Sequence, residues 1–306
     1  MAVIPRIVVG TARMGSVLPG LDLGSGAEAA LRHLDALLDS GCTAYDLAAS
    51  YQLGGTERLF GRWIATRRQR PRLFLIGKGG HPYPLLRPNR LTPEALAADL
   101  DASLRRLGVE QLDLYLLHRD FPGARLEPMV EVLGAAIRAG KIAGWGVSNW
   151  EHPRIEAIAA LATQAGLPPL AASSPHFSLV DWARPPWTGS VSIAGPAHRE
   201  ARAFHRRTQL PVLAWSPLGS GYLTAEDGGG RSYRSPANQA LRERLRTLAG
   251  KRGHTVAQLA LAYLFSHSFP VSAVVGASTV ERMRSNLEAA AIHLTPDEVR
   301  ALEGEG

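Results

Sequence analysis

The 306-residue chain has one cysteine, Cys42, so no disulfide can form within it. That fits a reducing compartment, and a cytoplasmic location is expected. No apolar run approaches the roughly 18 residues of a membrane span. Met1-Ala2-Val3-Ile4-Pro5-Arg6 also lacks the charged and long apolar regions of a secretory leader, so no membrane partner is expected. No His-x-His pair or similar ligand spacing is present, which disfavours a barrel metallohydrolase and leaves no metal expected. Lysine is scarce: Lys78, Lys141 and Lys251 are the only three among 34 basic residues. The net charge of +7 would suit nucleic acid, but the arginines are scattered and no aromatic-basic interleaving accompanies them. The longest cluster, Arg67-Arg68-Gln69-Arg70, reads as a solvated turn. A field attracting small anions is the inference, with no nucleic-acid partner.

What is present is an alternation of short apolar runs with longer amphipathic ones, in a chain 45% hydrophobic and long enough for a full core. Strands are expected at Ile7-Val8-Val9-Gly10, at 44–46, at 73–78, at 112–118, at 142–148, at 170–174, at 211–215 and at 272–276. Helices are expected over about 27–40, 56–67, 92–107, 129–139, 153–165, 197–207, 238–249, 256–267 and 279–290, with a short one after Thr295. Thr92-Pro93-Glu94 has a capping residue followed by proline at the first helical position. Thr255 and Gln258 have the spacing of a capping box. Residues 175–196 form a long irregular stretch carrying Phe177, Trp182 and Trp187, and a loop of that length in a compact domain is usually functional. Eight strands, each followed by a helix, predict a single-domain α/β fold, a (β/α)8 TIM barrel spanning 1–306. A doubly wound sheet would need a Gly-x-Gly-x-x-Gly turn, which Gly10-Thr11-Ala12-Arg13-Met14-Gly15 does not supply.

Polar residues interrupt the apolar strands at one end only. Asp46 ends the second, Lys78 the third, His118 the fourth, Ser148 and Asn149 the fifth, and Trp215 and Ser216 the seventh. In a barrel these ends share the face where active sites of this fold are built. Tyr51 follows Asp46 by five residues and should hang over the neighbouring strand ends. Each residue alone has an ordinary structural reading; the shared placement does not. A phenol, with a reference pKa of about 10, transfers protons near neutrality only if neighbours perturb it. A lysine ammonium is the neighbour to do so, since lysine is a compact charge with a movable pKa.

These residues resemble the aldo-keto reductase family over nearly the whole chain. The matching parts are Asp46-x4-Tyr51, the Gly54–Gly61 run with Glu57, Lys78, Leu116-Leu117-His118-Arg119, Gly146-Val147-Ser148-Asn149 and Trp215-Ser216-Pro217-Leu218-Gly219-Ser220-Gly221. The resemblance implies a catalytic tetrad of Asp46, Tyr51, Lys78 and His118 that reduces an aldehyde or ketone. Tyr51 would give the proton, with its pKa lowered by Lys78; Asp46 would hold Lys78, and His118 would orient the substrate oxygen. It also implies NADPH as cofactor, NADH remaining possible. Ser148 and Asn149 would hold the carboxamide, Ser174 standing where the family often has Gln. Trp215 would stack on the nicotinamide, where the family usually has Tyr or Phe. Ser216, Pro217, Leu218, Ser220 and Gly221 would wrap the pyrophosphate with backbone N–H groups. Gly276, Ser278, Arg282 and Asn286 would meet the adenosine phosphate, Ser278 replacing a frequent cation. Gly10 and Thr11 complete the cofactor set.

The substrate pocket is expected to be walled by Tyr83, Arg119, Phe177, Trp182 and Trp187, with His81, Arg87 and Phe121 nearby. An aromatic mouth with cations suits a sugar, a polyketide-like ketone or an acidic carbonyl compound. The same residues fit a sugar or alcohol dehydrogenase working in the oxidising direction. They also fit a cofactor-binding regulatory module with little turnover. The expected partner is a small carbonyl or alcohol, and the protein is a monomer or a homo-oligomer.

Overall fold

A computed structural model describes residues 3–17, 25–82, 89–226, 229–276 and 278–304. The eight strands run parallel in a closed barrel with the order of the sequence. They are β1 (Ile7–Gly10), β2 (Ala44–Asp46), β3 (Phe74–Gly79), β4 (Leu114–Leu117), β5 (Trp145–Ser148), β6 (Ala172–Ser174), β7 (Val212–Trp215) and β8 (Val271–Gly276). The (β/α)8 architecture predicted from the alternation is the one observed. By its internal packing the chain divides into two compact units, Met1–Ser173 and Ser174–Gly306, taken in turn below.

In the first unit the helices are α1 (Ser25–Asp39), α2 (Gly55–Arg67), α3 (Pro93–Leu107), α4 (Glu127–Arg138) and α5 (His152–Gln164). α1 turns Leu31, Leu34 and Leu37 into the core, and α2 adds Leu59, Phe60 and Trp63. The ring of Tyr45, on β2, meets Phe60 and Trp63 edge-on at 5.2 and 5.6 Å. α3 starts where the sequence says it should: the Thr92 hydroxyl accepts from the Ala95 N–H, Pro93 follows, and Gly108 closes the end at φ 65°. Register sets the site. Gly10 pairs with Asp46, Asp46 with Ile76, and Lys78 with Leu116.

Two arginines of the run read as a solvated turn have structural partners instead. Arg67 reaches back to Glu28 and Asp35 on α1, at 2.5 and 3.1 Å. Arg70 donates to the carbonyls of Leu73 and Gln111, both at 2.9 Å. Glu28, Asp35 and Gln111 lie about 30 to 40 residues away in sequence, so no local pattern announces them.

In the second unit the helices are α6 (Arg199–Thr208), α7 (Pro236–Arg252), α8 (Val256–Phe265), α9 (Val280–Glu288) and α10 (Pro296–Glu303). The Thr255–Gln258 capping box is formed, and a second one, Thr295–Glu298, starts α10. α7 begins earlier than predicted because Ser235 caps it through the Asn238 N–H. Among the described residues no helix is long and apolar enough to cross a membrane.

Candidate active site

Asp46 is the last residue of β2, and the chain beyond it keeps hydrogen bonding to β3: Leu47 N–H to Ile76 O, then Ala49 N–H to Lys78 O, at 2.8 and 2.9 Å. This extension carries Tyr51 over Lys78. Lys78 Nζ lies 2.6 Å from Asp46 Oδ1 and donates to the Tyr51 hydroxyl at 2.9 Å and to the Leu47 carbonyl at 3.1 Å. The Tyr51 hydroxyl donates to Asp46 Oδ2 at 3.3 Å. His118 stands one residue beyond β4, with its ring edge-on to Tyr51 at 5.8 Å. The structure therefore brings Asp46, Tyr51, Lys78 and His118 together. Asp46, Lys78 and His118 are only 5, 3 and 7% exposed, so little water dilutes their interactions.

Sequence reasoning missed several supports of this cluster. Thr11, expected on the cofactor, gives its hydroxyl proton to the Asp46 carbonyl at 2.7 Å, which fixes the end of β2. Ser50 Oγ is 3.5 Å from His118 Nδ1. The His81 ring meets His118 at 4.8 Å. Gln52 and Leu53, just after Tyr51, both sit at φ 49°, a left-handed conformation that non-glycine residues adopt only when surroundings enforce it. Gln52 is tied to the Ala12 carbonyl at 3.1 Å. None of these roles has a sequence signal.

The electrostatics depart from expectation in one respect. Burial pushes the Tyr51 phenol up, the Asp46 carboxylate pushes it further, and Lys78 pulls it down without reversing the sum. Lys78 thus acts in the expected direction, but the net shift is upward. For Lys78, burial favours the neutral amine, and Asp46 and Tyr51 together outweigh it, so the ammonium is kept. Burial, with Lys78, His81 and Arg119 adding to it, holds His118 far below the usual imidazole range. His118 is neutral near pH 7 and can offer one N–H.

Residues 6–304 match the model of the Aldo/keto reductase family. The chain belongs to that family. Norsolorinic acid reductase A of Aspergillus parasiticus is 24% identical to it, over 98% of this chain and 77% of the relative. An NADP(+)-named aldo-keto reductase of Schizosaccharomyces pombe is 26% identical, over 86% and 78%. A crystal structure of an aldo/keto reductase from Klebsiella pneumoniae, in complex with NADP and acetate, superposes with a TM-score of 0.75 and 27% identity, covering 99% of this chain and 92% of that one.

In this aldo/keto reductase the remaining predicted residues are placed as follows. Asn149, buried and at φ 58°, donates to Ser148 Oγ at 3.0 Å and to the His118 carbonyl at 3.5 Å. Gly10 ends β1. Arg119 is 7% exposed, and burial lowers it to about 10. Tyr83 lies outside the described residues.

In the second unit the Ser174 hydroxyl donates to the Leu213 carbonyl at 2.9 Å, which leaves it able to accept but not to donate elsewhere. Trp215 ends β7, with Trp187 stacked on it at 5.3 Å and Trp182 tilted against it at 5.7 Å. Phe177 is a correction. Expected on the pocket wall, it is 1% exposed in the core, against His267 and Phe269 at 4.9 and 6.0 Å. The path of the loop turns its ring into the core beside Phe269. In the turn carrying Ser216, Pro217, Leu218, Ser220 and Gly221, the N–H groups of Gly219, Gly221, Tyr222 and Leu223 donate to carbonyls of the same turn. The anticipated wrapping by backbone N–H groups therefore does not rest on these four. Gly276 ends β8. Thr279 caps α9, Arg282 reaches Ser278 Oγ at 3.2 Å, and Asn286 is buried.

Proposed function

We propose that this chain, acting as one domain over 1–306, is a cytoplasmic carbonyl reductase that converts an aldehyde or ketone to an alcohol with NADPH. What carries the reading is one contact: an ammonium 2.9 Å from a phenol oxygen and 2.6 Å from a buried carboxylate. As negative charge grows on the substrate oxygen, Tyr51 donates a hydrogen bond and then its proton. Lys78 stabilises the phenolate left behind, and Asp46 keeps Lys78 charged and in place. Neutral His118 hydrogen bonds the substrate oxygen and orients it. An upward-shifted Tyr51 suits reduction, because the protonated phenol is the competent form.

When bound, NADPH supplies the hydride. The side chains on hand fit it chemically: an indole plane at Trp215, an amide and a hydroxyl at Asn149 and Ser148, and a guanidinium in the first turn of α9. Ser148, Asn149 and Ser174 are assigned to the carboxamide, Trp215 to the ring, and the hydroxyls of Ser216 and Ser220, with Pro217, Leu218 and Gly221, to the pyrophosphate. Gly276, Ser278, Arg282 and Asn286 are assigned to the adenosine phosphate, and Gly10 and Thr11 to the same cofactor. Arg119, Trp182 and Trp187, with Tyr83, are assigned to the substrate mouth.

The test is a substrate screen with a nitrobenzaldehyde and both reduced cofactors, following loss of nicotinamide absorbance. Rapid turnover with NADPH is expected; tight cofactor binding without turnover of any carbonyl would defeat the reading. Arg282→Ala should lower the preference for NADPH over NADH about fivefold, the upper range for an exposed charge contact. The ratio of the two kcat/KM values checks it.

A further inference from the structure

His118 opens the segment that leads from β4 to α4, and an arginine on another element holds that segment. Arg154 lies in the first turn of α5 and reaches across to Asp120. Its Nε donates to Asp120 Oδ2 at 2.9 Å and to Oδ1 at 3.2 Å, and its Nη2 to Oδ1 at 3.0 Å. The other Nη2 proton is left for the carbonyls of Ala124 and Phe121, at 3.3 and 3.4 Å. The side chain of Asp120 is 12% exposed and that of Arg154 25%. The guanidinium lies over the buried indole of Trp150, at 5.3 Å.

Local chemistry does not favour a cation at this place. The first turn of a helix prefers anions, because its free N–H groups carry partial positive charge. α5 has no acidic residue in that turn and has Arg154 there instead. Such a local cost is expected where a residue serves something outside its own element. Arginine also suits the task as lysine would not. Its planar fork meets both carboxylate oxygens at once and so fixes an angle as well as a distance.

What the fork holds is the chain that leaves the site. The His118 N–H donates to Gly79 O at 2.8 Å, which ties the start of the segment to β3. Asn149 Nδ2 reaches the His118 carbonyl at 3.5 Å. From there the chain passes through buried Arg119 to Asp120 and then turns, with Ala124 N–H donating to Phe121 O at 2.7 Å. Arg154 grips this turn at Asp120, Phe121 and Ala124. His118 and Asp120 are thus pinned from different elements, β3 and α5, with Arg119 between them. An imidazole that must meet one oxygen tolerates little drift, since a misplacement of about 1 Å can lower a rate about 100-fold.

We propose that Arg154 is a positioning residue: through Asp120 it holds His118 and Arg119 in the pose that receives the substrate carbonyl. This rests on the roles given to His118 and Arg119 above. It adds an ion pair outside the tetrad to the determinants of turnover.

Arg154→Met, Arg154→Lys, Asp120→Asn and the double variant Asp120→Asn/Arg154→Met of the full chain decide it. Methionine keeps a stem over Trp150 and removes the fork; lysine keeps the charge without the fork. Rates are taken well below the melting temperature of each variant, so that lost stability does not pass for lost positioning. Arg154→Met should lower kcat for aldehyde reduction about tenfold, with the Kd of NADPH within about twofold. Arg154→Lys should still be about fivefold slower than the unaltered enzyme. The double variant should be no worse than Arg154→Met alone. A lower melting temperature at unchanged kcat would make Arg154 a mere brace and overturn the proposal. So would additive effects, a lysine variant of full activity, or a loss of NADPH affinity as large as the loss of kcat. The pose itself is read from the His118 ring signals in NMR spectra, identified by their disappearance in His118→Gln. They should shift in Arg154→Met and in Asp120→Asn alike, and unmoved signals would refute the link. Should Arg154→Met not fold, the other two single variants still decide. If the unaltered protein reduces no carbonyl, the functional reading itself falls, and the ring signals still show whether Arg154 holds His118. If it reduces one and only the variants behave otherwise than expected, that reading stands and this inference alone fails.

Discussion

Tyr51→Phe is expected to lower kcat for aldehyde reduction about 10³-fold, in the middle of the range for a positioned general acid. The substitution removes one oxygen and leaves the ring, whose contacts with His118 and with Lys78 (4.6 Å from the ring centre) do not need the hydroxyl. The fold should survive, and NADPH affinity should change little. The loss should fall on kcat, because the hydrogen bond strengthens only as charge develops on the substrate oxygen. The companion Lys78→Met should also lower kcat steeply, by leaving the phenolate beside the Asp46 carboxylate with no cation. In the unaltered enzyme burial and Asp46 raise the phenol, so reduction should not decline between pH 6 and 8 on account of Tyr51. Single-turnover rates with saturating NADPH measure the effect. A Tyr51→Phe enzyme within tenfold of the unaltered one would remove Tyr51 from the role of acid.

How much of this was legible beforehand depends on the range of the interaction. The barrel was readable because period and capping are local: Thr92, Thr255 and Gly108 each act within four residues of themselves. The nearness of Asp46, Tyr51, Lys78 and His118 was readable because parallel strands put polar strand ends on one rim, so Asp46 and Lys78 could be paired without knowing a distance. Contacts made by long side chains were not readable. Arg67 looked idle because its acceptors lie on α1, and Arg70 because one of its two carbonyl acceptors, that of Gln111, is 41 residues away. Phe177 and Trp187 had the same apparent standing in one irregular loop, yet one is core and the other stacks, half-exposed, on Trp215. Nothing short of the loop's path separates them. The net direction of the Tyr51 shift was out of reach too, since it is a balance of burial against charge and burial is a tertiary quantity.

The Gly54–Gly61 run, noticed only as part of a resemblance, has a physical origin that leads to the largest expected effect on stability. Glu57 is wholly buried in α2, and Arg106, from α3, meets its Oε2 with Nε at 2.7 Å and Nη2 at 2.6 Å. The two glycines make room for that arginine. A Cβ at Gly54, which sits at φ 80°, would come 2.7 Å from Arg106 Nε, and one at Gly61 would come 2.1 Å from the Arg106 carbonyl oxygen. Arg106→Ala leaves a carboxylate buried without its cation, which should cost about 3 kcal/mol of folding stability. The pH dependence has a definite sign. Burial already raises Glu57, and Arg106 is the first of the influences that lower it, so deleting Arg106 raises it further. A carboxyl whose folded pKa lies above its unfolded one favours folding fully below the unfolded pKa and loses that favour as pH rises through the folded one. The deficit of Arg106→Ala should therefore be larger at pH 8 than at pH 5. Adding Glu57→Gln should recover part of it at pH 8 and little at pH 5, because a neutral amide replaces a charge only where the charge exists. Urea denaturation of the three proteins at both pH values checks this, and a pH-independent deficit would mean that lost packing by the arginine stem, not the abandoned charge, sets the cost.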